Sequence, residues 1–172
     1  MYSTLNEIGQ KFRLKGELYS YDVITIGNIN STYKVTYTDE EGKLTSYLFQ
    51  RVNTHVFKNP VEIMKNIESV TSFISKKYPE QITLHYYHTD EGLNYYVCDD
   101  TAFWRVVNFI DSVTFNASDD LKVIEATGKA FGEFQTRLSD FDGSVLYETI
   151  PDFHNTKKRL DTLFAHIEED PC

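Results

Sequence analysis

The chain has 172 residues and a mass of 20.0 kDa, enough for one domain or for one lobe with a short extension, and enough to bury a real core. Its net charge of −9 and pI near 5.0 argue against a nucleic-acid backbone as the main partner. Cys98 and Cys172 are too few for a disulfide framework or a four-cysteine zinc site, and no stretch resembles a signal peptide or approaches the ~20 residues of a membrane span, so a cytoplasmic chain without a membrane partner is expected.

In chain order, Leu5, Ile8 and Phe12 have helical spacing, which predicts a short helix within Met1 to Leu14 with Ser3 or Thr4 as its cap. Leu18 to Ile26 reads as a strand with Tyr19, Tyr21, Val23 and Thr25 on one face, ended by Gly27. Thr32 to Thr38 and Leu44 to Asn53 alternate around the turn Asp39-Glu40-Glu41-Gly42. Asn59 and Pro60 open a helix through Ile63, Ile67, Val70 and Ile74 that stops at Tyr78-Pro79. Three further strands are expected at Ile82 to His88, Leu93 to Cys98 and Ala102 to Ile110, with Asp99-Asp100-Thr101 joining the last pair. Beyond Asp111 the period becomes helical, over Asp119 to Leu138 and from Asn155-Thr156 through Ile167, and Pro171 closes the chain.

Gly27 to Asn53 organises the rest. A hairpin whose glycine turn covers phosphates and whose strand carries a cation beneath them is the ATP-grasping part of a kinase-like small lobe. An antiparallel sheet with one embedded helix, followed only by helices, has that layout.

Six stretches carry a more specific likeness. They are Gly27 to Tyr33, Phe49 to Asn53 with His55-Val56-Phe57, Met64 to Val70, Trp104 to Ile110, Gly128 to Phe134, and the distinctive Ile150 to Leu160. On these, nearly the whole chain resembles the N-terminal half of the N-acetylhexosamine 1-kinases, of the aminoglycoside phosphotransferase/choline kinase branch of the kinase-like fold. Some relatives carry a mucin-desulfating sulfatase label, but this chain lacks the Cys-x-Pro-x-Arg signature of that chemistry. The resemblance implies phosphorylation of an N-acetylhexosamine at its anomeric hydroxyl, with ATP and Mg²⁺.

The expected nucleotide site starts with the loop Gly27, Asn28, Ile29, Asn30, Ser31 and Thr32, whose backbone N–H groups would meet the phosphates. Similar sequences often have His at the position of Asn28, near the sugar, so Asn28 is also the expected substrate contact. Arg51 would hold phosphate oxygens through its fork or pair with a helix glutamate, Glu68 first and Glu62 as the alternative. Backbone groups near Asn108, Phe109 and Ile110 would bind adenine.

Kinase chemistry also needs an Asp for the hydroxyl proton, an Asn about five residues later and a further Asp for Mg²⁺. His88-Thr89-Asp90 with Asn94, Asp140-Phe141-Asp142-Gly143 and His154-Asn155-Thr156 imitate these parts, but spacing and context make them turns or caps. The five histidines show no metal-ligand spacing, and no catalytic residue is assigned.

The expected fold is therefore α+β. Residues 1–110 would form a kinase-like N-terminal lobe with an antiparallel sheet of five or six strands plus one helix, and 111–172 the first large-lobe helices. The functional expectation is the ATP-binding portion of a sugar 1-phosphotransferase whose catalytic and Mg²⁺-binding carboxylates lie in a separate C-terminal half. The alternative is a non-catalytic interaction module. It would bury apolar faces around Phe131, Phe134 and Leu163 against that other half or in a homodimer.

Overall fold

The computed structural model describes residues 1–169 apart from 82 and 100. The expected strand start at Ile82, the Asp100 part of the turn, and residues 170–172 including Pro171 and Cys172 lie outside the described residues.

The protein is α+β, with a five-stranded antiparallel sheet of order β1-β2-β3-β5-β4. Helix α1 (Tyr2–Lys11) leads into β1 (Glu17–Ile24), β2 (Ser31–Thr38) and β3 (Leu44–Val52). Helix α2 (Pro60–Lys77), β4 (Tyr96–Cys98) and β5 (Ala102–Asn108) follow, then α3 (Leu121–Arg137) and α4 (Thr156–Glu169).

The two helices of the first part clamp the sheet from opposite sides. Leu5, Ile8 and Phe12 of α1 are buried with Val35, Phe49, Trp104 and Val106 on one face. Met64 of α2 is buried with Val52 and Phe103 on the other. Period-two alternation makes this division, because Phe49 and Val52 differ by an odd number of residues on one strand. The β2–β3 turn is fixed by Asp39, whose Oδ1 accepts from the N–H groups of Glu41 at 3.0 Å and Lys43 at 2.8 Å. Gly42 there adopts φ +78°, a conformation that favours glycine.

Several expectations are corrected. The N-cap of α1 is Met1, without a side-chain bond from Ser3 or Thr4. In β1 the ladder slips between Leu18 and Ser20, so Tyr19 is extruded and 64% exposed. Leu18, Tyr21 and Val23 consequently oppose Tyr37, Val35 and Tyr33, in place of an unbroken Tyr19-to-Thr25 face.

The fourth strand shrinks from Leu93–Cys98 to three residues. Among its described residues, the stretch expected as Ile82–His88 contributes only the bridge Tyr86–Val107 beside β5. The reason is Asn108. Backbone pairing beside β5 runs from the Tyr87 N–H to the Val106 carbonyl at 3.0 Å and from the Asn108 N–H to the His85 carbonyl at 3.1 Å. Beyond it the Asn108 side chain substitutes, its Oδ1 accepting from the His85 N–H at 2.7 Å and its Nδ2 donating to the Thr83 carbonyl at 3.3 Å.

The helical segment leans on α2. Asn66 donates to the Tyr147 carbonyl at 2.8 Å and accepts from its N–H at 2.9 Å, while Phe141 meets Phe73 edge-on at 5.1 Å. Neither α3 nor α4 buries a residue. No described helix is long and apolar enough to cross a membrane.

Candidate functional site

The loop between β1 and β2 turns at Gly27, whose φ of +131° only glycine adopts readily. It re-enters the sheet at Ser31, directly opposite Arg51 of β3, and Arg51 in turn opposes Trp104 of β5. One rung of three strands therefore sets the height of the arginine relative to the loop.

A cleft of ≈ 750 Å³ opens at this end of the sheet. Its cationic lining is Arg51 and Lys58, with the His55 side chain also lining it, and its hydroxyl lining is Ser31, Thr54 and Thr101. Asn53 adds an amide, and Ile29, Pro60, Val97 and Phe103 supply apolar wall. Among the described residues, no carboxylate appears in that lining. The wall between β3 and α2 is held by Asn53, whose Oδ1 accepts from the His55 N–H at 3.0 Å and whose carbonyl accepts from the Phe57 N–H at 2.9 Å.

The expected loop residues divide. Ile29 and Ser31 line the cleft. Asn30 ties the loop down, its Oδ1 accepting from the Asn53 N–H at 2.9 Å. Thr32 does not face the cleft arginine; alternation puts it on the α2 side, where its hydroxyl accepts from Gln50 Nε2 at 3.0 Å. Gly27 and Asn28 are exposed at the loop tip, outside the lining.

The expected Arg51–Glu68 pair is not formed. Arg51 shares the sheet face of Phe49 and Trp104, which α1 covers, whereas Glu68 belongs to α2 on the opposite face. Glu68 Oε2 instead accepts from Asn94 Nδ2 at 3.0 Å and lies 3.5 Å from His88 Nε2. Glu62, the alternative, forms no ion pair with Arg51 among the described residues.

The expected adenine contacts are also altered. The Asn108 N–H donates to the His85 carbonyl at 3.1 Å and its side chain is spent on residues 83–85. That leaves Phe109, over whose ring Lys34 Nζ sits at 4.4 Å, and the partly exposed Ile110.

Sequence reasoning missed Arg105. Its Nε donates to Gln50 Oε1 at 2.9 Å, its Nη1 approaches Met64 Sδ at 3.8 Å, and its guanidinium stands 5.7 Å from the Tyr86 ring centre. Burial pulls its pKa below the usual arginine value. Lys58 was missed as well, since a lone lysine before a helix carries no local signal.

No known protein-family model matches the chain.

The three catalytic look-alikes sit in turns and caps. Asp90 is ion-paired with Arg13. Asp142 Oδ1 accepts from the Ser144 hydroxyl at 2.6 Å and from its N–H at 2.9 Å, and these bonds hold its carboxyl below the usual range. Asp140 is ion-paired with Lys77, and Asn155 Oδ1 accepts from the Lys158 N–H at 3.0 Å at the start of α4. These carboxylates already serve local partners, and no group of three or more His, Cys, Asp or Glu side chains gathers among the described residues.

Proposed function

We propose that the chain is the nucleotide-binding portion of a sugar 1-phosphotransferase acting on an N-acetylhexosamine, with ATP as the phosphoryl donor. The carrying observation is the convergence of Ile29 and Ser31 from the glycine loop with Arg51 from β3 on one cleft whose lining also holds Lys58 and, among the described residues, no carboxylate. A triphosphate is the ligand class that such a set recognises, because a guanidinium fork and small loop residues match its oxygens.

The roles are binding and orientation. The Gly27 loop covers the phosphates, Arg51 holds two of their oxygens, and the apolar wall at Val97 and Phe103 excludes water. Phe109 and Ile110, just past the end of β5 and roughly 17–20 Å from Trp104 at ~3.3 Å per residue, are the proposed base contacts. Asn28 at the exposed loop tip is the proposed sugar contact. No proton transfer or metal-assisted step is assigned to this chain, since its look-alike carboxylates cap turns and helices.

Calorimetric titration with ATP in the presence of Mg²⁺ tests this. Saturable binding is expected, weakened about tenfold or more in Arg51→Ala, the range for a hydrogen bond to a charged group. Unchanged affinity in that variant removes Arg51 from the site. Phosphoryl transfer to N-acetylhexosamine by this chain alone would overturn its restriction to binding.

A second reading is favoured by the bare helices. Phe131, Phe134 and Leu163 are 68%, 47% and 52% exposed, which suits an interaction module that buries them against another chain or a second copy. Absence of heat at millimolar ATP, with self-association seen by sedimentation, would support this reading over the first.

A further inference from the structure

Lys58 and His55 approach the same cleft as Arg51 from the loop between β3 and α2. The concentration of charge there runs against the molecule as a whole, whose net charge is −9. Holding Arg51 and Lys58 around one concavity costs repulsion, and neither is ion-paired among the described residues. Glu68, the carboxylate expected to neutralise Arg51, is committed to Asn94 and His88 on the opposite face.

The cleft is also built in advance. Asn53 joins both of its walls: its N–H is taken by Asn30 from the glycine loop, and its own Oδ1 and carbonyl fold the chain through His55 and Phe57. Phe57 anchors that fold by packing on the Val52–Met64–Phe103 cluster. The hydroxyls of Ser31, Thr54 and Thr101 also line the cleft and can donate.

We propose that this cleft is a polyphosphate cradle in which Lys58 is the second fixed cation beside Arg51, binding the phosphate chain of its ligand independently of the group attached to it. The inference rests on the nucleotide reading above for the site, and deepens it by assigning affinity to a residue outside the loop and strand. Lys58 contributes as a point charge, whereas Arg51 supplies the directional fork. Apolar wall at Pro60, Val97 and Phe103 lowers the local dielectric and strengthens both contacts. A phosphate chain is favoured over a polycarboxylate because hydroxyl donors and a fork around one concavity match successive phosphoryl groups.

The test is calorimetry on the full chain with inorganic tripolyphosphate, citrate and ATP as separate titrants. Tripolyphosphate is expected to bind with an affinity that falls as salt is raised, and Lys58→Ala to weaken it about tenfold. Lys58→Arg should restore most of the affinity. Lys43→Ala, in the β2–β3 turn at the far end of the hairpin, should leave it unchanged. Thermal unfolding of each variant establishes that it is folded.

Equal binding by wild type and Lys58→Ala, citrate binding as tight as tripolyphosphate, or no binding of millimolar tripolyphosphate would each overturn the cradle. The two readings separate cleanly. Tripolyphosphate binding that needs Lys58, without added affinity for ATP, keeps the cradle and removes the nucleotide assignment. ATP binding indifferent to Lys58 does the reverse.

Discussion

Asn30 in the glycine loop accepts a hydrogen bond at 2.9 Å from the backbone N–H of Asn53, across 23 residues of sequence. That bond fixes the loop over the cleft before any ligand arrives. Removing it should leave the core intact and loosen the loop, so that a ligand must supply the ordering. Asn30→Ala is expected to weaken tripolyphosphate binding about fivefold, the equivalent of one ordinary hydrogen bond of ~1 kcal/mol, with little change in unfolding temperature. An affinity equal to wild type would mean that the loop does not contribute to the site.

Gly9 of α1 lies against the Tyr37 ring of β2. A Cβ at position 9 would meet the Tyr37 hydroxyl oxygen at 1.8 Å and its Cζ at 2.8 Å, and Tyr37 is too buried to swing away. Gly9→Ala should destabilise the fold by about 2 kcal/mol in urea, in the range for an overpacked core. Tyr37→Phe removes the nearer clash and should recover part of that loss in the double variant. Simple additivity of the two substitutions would disprove the contact.

Tyr37 also predicts an alkaline limit. Its hydroxyl is buried without a partner among the described residues, and burial, followed by the neighbouring Tyr47 and Tyr2, pushes its pKa up from 10.0 to about 12. The folded value lies above the unfolded one, so the neutral form is the one the fold favours. Its contribution is full below the unfolded pKa and is lost as pH rises through the folded one. Unfolding midpoints measured from pH 9 upward should fall, and Tyr37→Phe should flatten the decline. A slope remains in that variant because burial also raises Tyr47 and Tyr87.

Gln50 and Arg105 form a charged bond across β3 and β5, with no carboxylate within ion-pair distance of Arg105 among the described residues. Gln50→Leu strands the guanidinium and should cost about 3 kcal/mol, whereas Arg105→Met, which fills the same space between Met64 and Tyr86, should cost less. The double variant should be more stable than Gln50→Leu alone. Chemical denaturation of the four proteins settles the order.

Where pattern and turn chemistry are local, the chain is readable from its letters. The β2–β3 hairpin follows from alternation on both sides of an Asp-initiated turn with glycine at its positive-φ position, and α2 follows from Pro60 and the spacing of Ile67 and Ile74. Asp120 caps α3 by accepting from the Lys122 N–H at 2.9 Å, close to the start that periodicity places at Asp119. The edge was not readable. Tyr19 is extruded by a register slip, and residues 83–85 are bound by the side chain of Asn108, more than 20 residues away in sequence.

The site divides along the same line. The resemblance in the glycine loop and at Arg51 pointed to two walls of the cleft, but the helix glutamate was assigned to the wrong face, because alternation fixes which residues share a face and not which helix covers it. Sequence by itself determined the helices and the β2–β3 hairpin, whose spacing and turn chemistry are written within a few residues of one another. Tertiary structure decided which side of the sheet each helix covers, and therefore that Lys58 and not Glu68 lines a cleft with Arg51. Charge assembled from separate loops depends on chain crossings that no local window contains.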